Sequence, residues 1–303
     1  MTQMRERKLR VLWATDGSQS AKSAIPILRQ LVLPATDRLL VLNVAPHSVI
    51  SGARPDPAFL AGVAPGARRR ALLEAQQLPE REATLLNPSV PVQAVSRWGN
   101  PIEEVLRTAR TISADIIVMG AKGHSNLALL FLGSVAQGVV QHSTRPVLVA
   151  RPGTESVAHV MVGYDGSPPA RRALTFLDRL AIDTRVRFTL LSIIEPFAAP
   201  AGTPIGYRKQ ALEEAHRINE QNQRLAERRL ERIASRLEMA GRKVKTEVIH
   251  GIPGLEIDAL ARKEDADLIV VGSRRPSPAE HYLLASTAEK LVRHSHTSVL
   301  VVR

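Results

Sequence analysis

The sequence predicts an α/β protein made of two repeated, doubly wound domains, each a five-stranded parallel sheet with helices on both faces. Three observations carry this. Blocks of the first half recur in order in the second: Val11-Leu-Trp-Ala-Thr-Asp16-Gly-Ser18 returns as Val160-Met-Val-Gly-Tyr-Asp165-Gly-Ser167, Ala114-Asp115 to Gly120 as Ala266-Asp267 to Gly272, and Arg145-Pro-Val-Leu-Val-Ala-Arg151 as Thr297-Ser-Val-Leu-Val-Val-Arg303. Within each copy, short Val/Ile/Leu runs alternate with longer segments of helical period, the pattern of strands buried on both faces. With 303 residues, each copy is long enough to bury its own core. The turn-rich Pro152-Gly-Thr-Glu-Ser156 separates them, giving domains over 1–152 and 157–303.

In the first copy the apolar runs place strands near 11–14, 39–44, 92–97, 116–119 and 147–150. Helical periodicity falls near 20–33, 67–86, 102–112 and 132–141, with Pro26 and Pro79 arguing against straight helices in the first two. Proline at Pro101 and the acids Glu103 and Glu104 suit a helix start, so Gly99-Asn-Pro101 reads as an ordinary strand-to-helix turn near a pocket wall. The region 48–65 is rich in Pro, Gly and Ala and reads as a mobile loop over the first sheet. In the second copy, 208–240 is dense in Ala, Leu, Glu, Arg and Gln and ends at Gly241, which predicts one long helix with a solvated charged face.

The most informative spacing is Gly120-Ala-Lys-Gly123, nine residues, then Gly133-Ser134. It follows a buried strand and enters a helix, so it can place backbone N–H groups, a hydroxyl and a helix dipole around a phosphate. Positive φ at the glycines is expected, and Lys122 inside the turn either neutralises phosphate or faces solvent. Asp16 lies at the carboxyl end of the first strand, where open α/β sheets hold ligands. It suits contact with a purine or ribose edge, although Asp-Gly-Ser also makes a helix-capping turn.

Other chemistry is excluded by its missing parts. The chain contains no Gly-x-x-x-x-Gly-Lys-Ser/Thr loop, no Gly-x-Gly-x-x-Gly fingerprint and no Gly-x-Ser-x-Gly elbow. His294 and His296 have no evident partner set for a metal, and Glu103/Glu104 and Glu213/Glu214 read as solvated charges; no catalytic residue and no metal ligand is assigned. Zero cysteines exclude a disulfide framework, and no run approaches ~18 apolar residues; the expected setting is the cytoplasm, without a membrane span. A net charge of +12 invites nucleic acid as a partner. The basic residues are scattered among Glu, however, and aromatics make up only 3%, too few for stacking platforms, which disfavours it.

These residues resemble those of the universal stress protein family, with two such domains covering nearly the whole chain. The resemblance rests on Asp16-Gly-Ser18, on Gly99-x-Pro101 and on the Gly120-x-x-Gly123-(nine residues)-Gly133-Ser134 loop. It implies a sheet of order 3-2-1-4-5 and ATP as cofactor, with or without Mg2+. Carried over, Ala14, Thr15, Asp16 and Val44 would surround adenine; Met119, Gly120 and Gly123 would flank ribose and phosphates; and Gly133, Ser134 and Val135 would close on the phosphates. It also implies pairing through the last strand, so 147–150 and 299–302 are expected to join in an intrachain pseudo-dimer, with a further homodimer left open.

The second copy departs from the pattern: Arg275 replaces Gly123 and Ala285 replaces Gly133, while Gly272 and Ser286 remain and Pro276 and Pro278 stiffen the loop. If the glycines need positive φ, each replacement costs ~1 kcal/mol or more. One competent nucleotide site per chain is therefore expected, in the first half, unless Arg275 itself holds phosphate. The leading reading is an ATP-binding stress-response regulator with an unidentified regulatory protein partner. The alternatives are a slow ATPase or related nucleotide enzyme, and a protein-interaction module without nucleotide.

Overall fold

The computed structural model describes residues 8–45, 65–122, 132–198, 202, 204–274 and 287–303, without the side chains of 65–72. In the first half the strands are β1 (Leu9–Ala14), β2 (Thr36–Ala45), β3 (Val92–Trp98), β4 (Ile116–Gly120) and β5 (Val147–Ala150). The helices are α1 (Gln19–Lys22), α2 (Ala24–Ile27), α3 (Pro65–Leu86), α4 (Pro101–Thr111) and α5 (Ser134–His142). The second half repeats the plan with β6 (His159–Gly163), α6 (Pro168–Leu177), β7 (Arg187–Ile194), α7 (Arg208–Met239), β8 (Lys243–His250), α8 (Pro253–Lys263), β9 (Leu268–Gly272), α9 (Thr287–His294) and β10 (Ser298–Val302).

The ten strands of the described residues form one sheet, in the order β3-β2-β1-β4-β5-β10-β9-β6-β7-β8. Each half is parallel and has the order 3-2-1-4-5; the halves meet where β5 and β10 pair antiparallel, with Leu148 opposite Leu300. The expected intrachain pairing of the last strands is thus observed. It also removes both strand edges from solvent. Side chains alternate across the sheet, so Val11 and Trp13 enter one core while Leu12 enters the other. Both cores run through both halves, as Val160 joins the first and Met161 the second.

Two arginines repeat one clasp across this seam. Arg151, just beyond β5, is 4% exposed and donates to the Val292 carbonyl in the last turn of α9 at 2.7 Å. Arg303, just beyond β10, donates to the Val140 carbonyl near the end of α5. Each half therefore supplies a cation to orphan carbonyls of the other half's last helix, where the dipole favours positive charge. A side-chain amide adds to the seam: Gln30 and the Val157 backbone exchange reciprocal hydrogen bonds, both 2.7 Å.

The two proline-bearing segments bend as their chemistry requires. Over 20–33 there is no single helix. Pro26 lacks the N–H that would bond the Lys22 carbonyl, and the chain runs as α1, α2, a π-helical turn over Leu28–Val32 and a 3₁₀ turn over Leu33–Ala35. In α3, Pro79 cannot bond the Ala75 carbonyl. That freed carbonyl is taken by Asn43 Nδ2 of β2 at 3.0 Å and Ser96 Oγ of β3 at 2.7 Å, so the break ties α3 to the sheet. The expected loop 48–65 lies outside the described residues up to Pro65, which opens α3. The long helix expected over 208–240 is α7, a span of 32 residues.

Candidate functional site

Order 3-2-1-4-5 places its switch point between β1 and β4, whose neighbours lead away in opposite directions, and a crevice opens there at the carboxyl ends of the strands. It is a cavity of about 350 Å³. Nine of the ten residues singled out from sequence line it: Ala14, Thr15 and Asp16 after β1, Val44 of β2, Met119 and Gly120 of β4, and Gly133, Ser134 and Val135 at the start of α5. The tenth, Gly123, lies outside the described residues. Pro101 and Lys122 also line the cavity.

Several lining residues escaped sequence reasoning. Leu42 and Val105 form apolar wall, and Ala21, Ala121 and Ala136 complete it. The signal for Leu42 was present, since it lies two residues before Val44 and shares its face of β2.

The Asp16-Gly17-Ser18 turn builds one rim. Asp16 Oδ1 accepts from the Ser18 N–H at 3.0 Å, and Ser18 Oγ caps α1 by accepting from the Ala21 N–H at 3.1 Å. The turn needs Gly17, whose φ is +76°. The second copy reproduces it: Asp165 Oδ1 accepts from the Ser167 N–H at 2.8 Å, and Gly166 has φ +81°. Asp16 is thus a turn-forming residue at the cavity's rim. Beneath it, Glu82 of α3 is buried at 3% exposure, with Lys22 3.7 Å away. Burial pushes its carboxyl above the usual range, against the opposing pull of Lys22 and of a hydrogen bond with Thr15. Glu82 occupies the same helix stripe as Leu78 and Leu86, the spacing by which the sequence could have marked it.

The opposite rim is the entry to α5, and here the expectations about glycine change. Gly133 is the N-cap with φ −67° and ψ 147°, an extended conformation open to any residue. The φ cost expected for alanine at the matching place presupposed a positive φ that Gly133 does not have; Ala285, Arg275 and Ser286 themselves lie outside the described residues. Gly120 also lacks positive φ. Its missing Cβ is required by packing, since a Cβ there would stand 2.4 Å from the Ser20 carbonyl oxygen. Gly272 meets the same restriction against Pro169, at 2.2 Å. The Lys122 N–H donates to Ser20 Oγ at 2.9 Å, and the Gly133 N–H to the Ala121 carbonyl at 2.8 Å, fixing both ends of the loop. No side chain caps α5, whereas Ser18 caps α1 and Asn100 caps α4. The first-turn N–H groups of α5 thus border the cavity without a side-chain cap from the described residues.

The second half has a counterpart of about 120 Å³, lined by Gly163, Tyr164 and Asp165, with Ile193 in place of Val44 and Val271 in place of Met119. Small-molecule sites occupy about 300–1,000 Å³, so the first cavity falls within the range and the second well below it. Among the described residues no group of His, Cys, Asp and Glu is arranged to hold a metal ion, and no helix is long and apolar enough to cross a membrane.

Comparison with known proteins agrees with this architecture. A universal stress protein of Thermus aquaticus is 33% identical over 141 residues, which is 46% of this chain and 97% of that protein. One from Methanocaldococcus jannaschii is 39% identical over 74 residues, 24% of this chain and 44% of that protein, so the match spans under half of that relative. The crystal structure of a universal stress protein from Archaeoglobus fulgidus has the same fold, with a TM-score of 0.65 over 97% of this chain and 96% of its own at 19% identity. The model of the universal stress protein family matches twice, over residues 9–151 and 157–303. With both halves matched, the chain belongs to the universal stress protein family and carries two of its domains in tandem.

Proposed function

We propose that the first half binds ATP, one molecule per chain, and that the protein acts as a nucleotide-responsive regulator in the stress response. The observation that carries this is the convergence of nine residues, from four separated segments, on one cavity of about 350 Å³ at the sheet's switch point. Ala14, Leu42, Val44, Val105 and Met119 supply an apolar slot suited to adenine. Ser134 and the first turn of α5 offer donors to phosphate, and Lys122 lines the same wall. Binding of this kind regulates by favouring one conformation or partner state over another. The absence of cysteine supports a reducing, cytoplasmic setting.

Isothermal titration of ATP into the full chain is expected to give saturable binding with a stoichiometry of one. Val44→Trp, which fills the slot, is expected to abolish that binding while circular dichroism stays unchanged. A stoichiometry of two, or unaltered affinity in the Val44→Trp chain, overturns the proposal.

A further inference from the structure

We infer that the cleft between the two halves is a second anion site, which binds an oligophosphate chain through a cluster of arginines. The cleft, about 540 Å³, is lined by Arg145, Arg171, Arg172, Arg179 and Arg303 against one carboxylate, Asp115. Its two walls come from different halves. Arg145 belongs to the turn that enters β5. Arg171, Arg172 and Thr175 lie on one stripe of α6 at helical spacing, and Arg179 continues it just past the helix end.

The intramolecular partners do not balance this charge. Asp115 is already shared: Oδ1 accepts from Arg179 at 3.1 Å, and Oδ2 accepts from the Arg10 backbone at 2.9 Å and its Nε at 3.3 Å. Arg303 is committed to the Val140 and Arg274 carbonyls and to Ser273, and Arg171 donates to the Gly166 carbonyl. Neither Arg145 nor Arg172 forms an ion pair among the described residues. Arg145 Nε is moreover a buried donor with no acceptor, although buried donors are ordinarily satisfied.

The chemistry selects the ligand. Several planar guanidinium forks facing one cleft match the oxygens of linked phosphates, which they can grip in bidentate fashion. Nucleic acid fits less well. The aromatic in the lining, Phe176, is buried at 6% and lies under Arg179, whose guanidinium is 5.7 Å from the ring centre, so it offers no face for base stacking. Because Arg145 is in one half and Arg171, Arg172 and Arg179 are in the other, a bound phosphate chain braces the seam.

The test is titration of sodium tripolyphosphate into the full chain at low salt. The wild type is expected to bind saturably, and Arg145→Gln/Arg172→Gln to bind at least tenfold more weakly while ATP binding in the first-half cavity is retained. Should the double variant lose its fold, Arg172→Gln alone, on an exposed side chain, is expected to weaken binding about threefold. The Val44→Trp chain, which is expected to have lost ATP binding, is expected to bind tripolyphosphate as the wild type does, which identifies a free oligophosphate as the ligand of the cleft. The inference is overturned by no saturable tripolyphosphate binding, by equal affinity in the arginine variants, by loss of tripolyphosphate binding in Val44→Trp, or by tighter binding of a single-stranded oligonucleotide.

Discussion

Glycine in this chain answers to three different demands. Gly17 supplies a left-handed turn, Gly133 caps a helix in an ordinary extended conformation, and Gly120 makes room for a carbonyl. Only the first needs glycine for its φ. The Gly120 case is the most readily tested, because a Cβ there would meet backbone, which cannot swing aside as a side chain can. Gly120→Ala is expected to destabilise the fold by about 1–3 kcal/mol through overpacking, measured as a lower urea midpoint at unchanged slope. The equivalent change at Gly272 is expected to behave alike, since the obstacle, the backbone at Pro169, is of the same kind. From sequence Gly120 and Gly133 belonged to one phosphate motif, and Gly17 to a turn that caps a helix. Their separate causes depend on how near another segment passes, which spacing along the chain does not encode.

At the scale of elements, the prolines show how a local defect becomes a tertiary link. Pro79 leaves the Ala75 carbonyl without its helical donor, and Asn43 and Ser96 replace it. Asn43, at 5% exposure, would otherwise be a buried amide in need of a partner. Asn43→Ala is therefore expected to cost about 1–2 kcal/mol. Pro79→Ala restores an N–H at the right place in the helix. In that background the Asn43→Ala penalty is expected to shrink, a coupling that a double-mutant cycle in urea would read directly. Strand and helix positions were legible in the sequence to within a few residues, because burial on both faces leaves continuous apolar runs and one-sided burial leaves a helical period. The fragmentation of 20–33 into four short turns was less so, since Pro26 marks a break but does not set the conformation of the residues beyond it.

At the scale of the molecule, the seam turns two domains into one ten-stranded sheet. Its polar fastenings include the exchanged pair Arg151 and Arg303. Burial lowers the basicity of both guanidinium groups, against the opposing pull of Asp258 on Arg151 and of Glu289 on Arg303. Arg151→Met removes the donor and leaves α9 carbonyls unsatisfied within the interface. It is expected to destabilise the chain by about 1–3 kcal/mol and to lower the cooperativity of thermal unfolding between the halves, read by calorimetry.

By itself, the sequence determined that the chain is one α/β unit written twice, where its strands lie, and which segments reach the carboxyl edge of the first sheet. These features come from repetition and from the periodicity of burial, both properties of the chain read in order. Only the tertiary structure decided the rest: that the two crevices differ in size, at about 350 and 120 Å³, and that five arginines from three segments distant in sequence face one cleft. Cavity size and charge density arise from side chains that meet across the sheet and the seam, and the order of residues does not record those meetings.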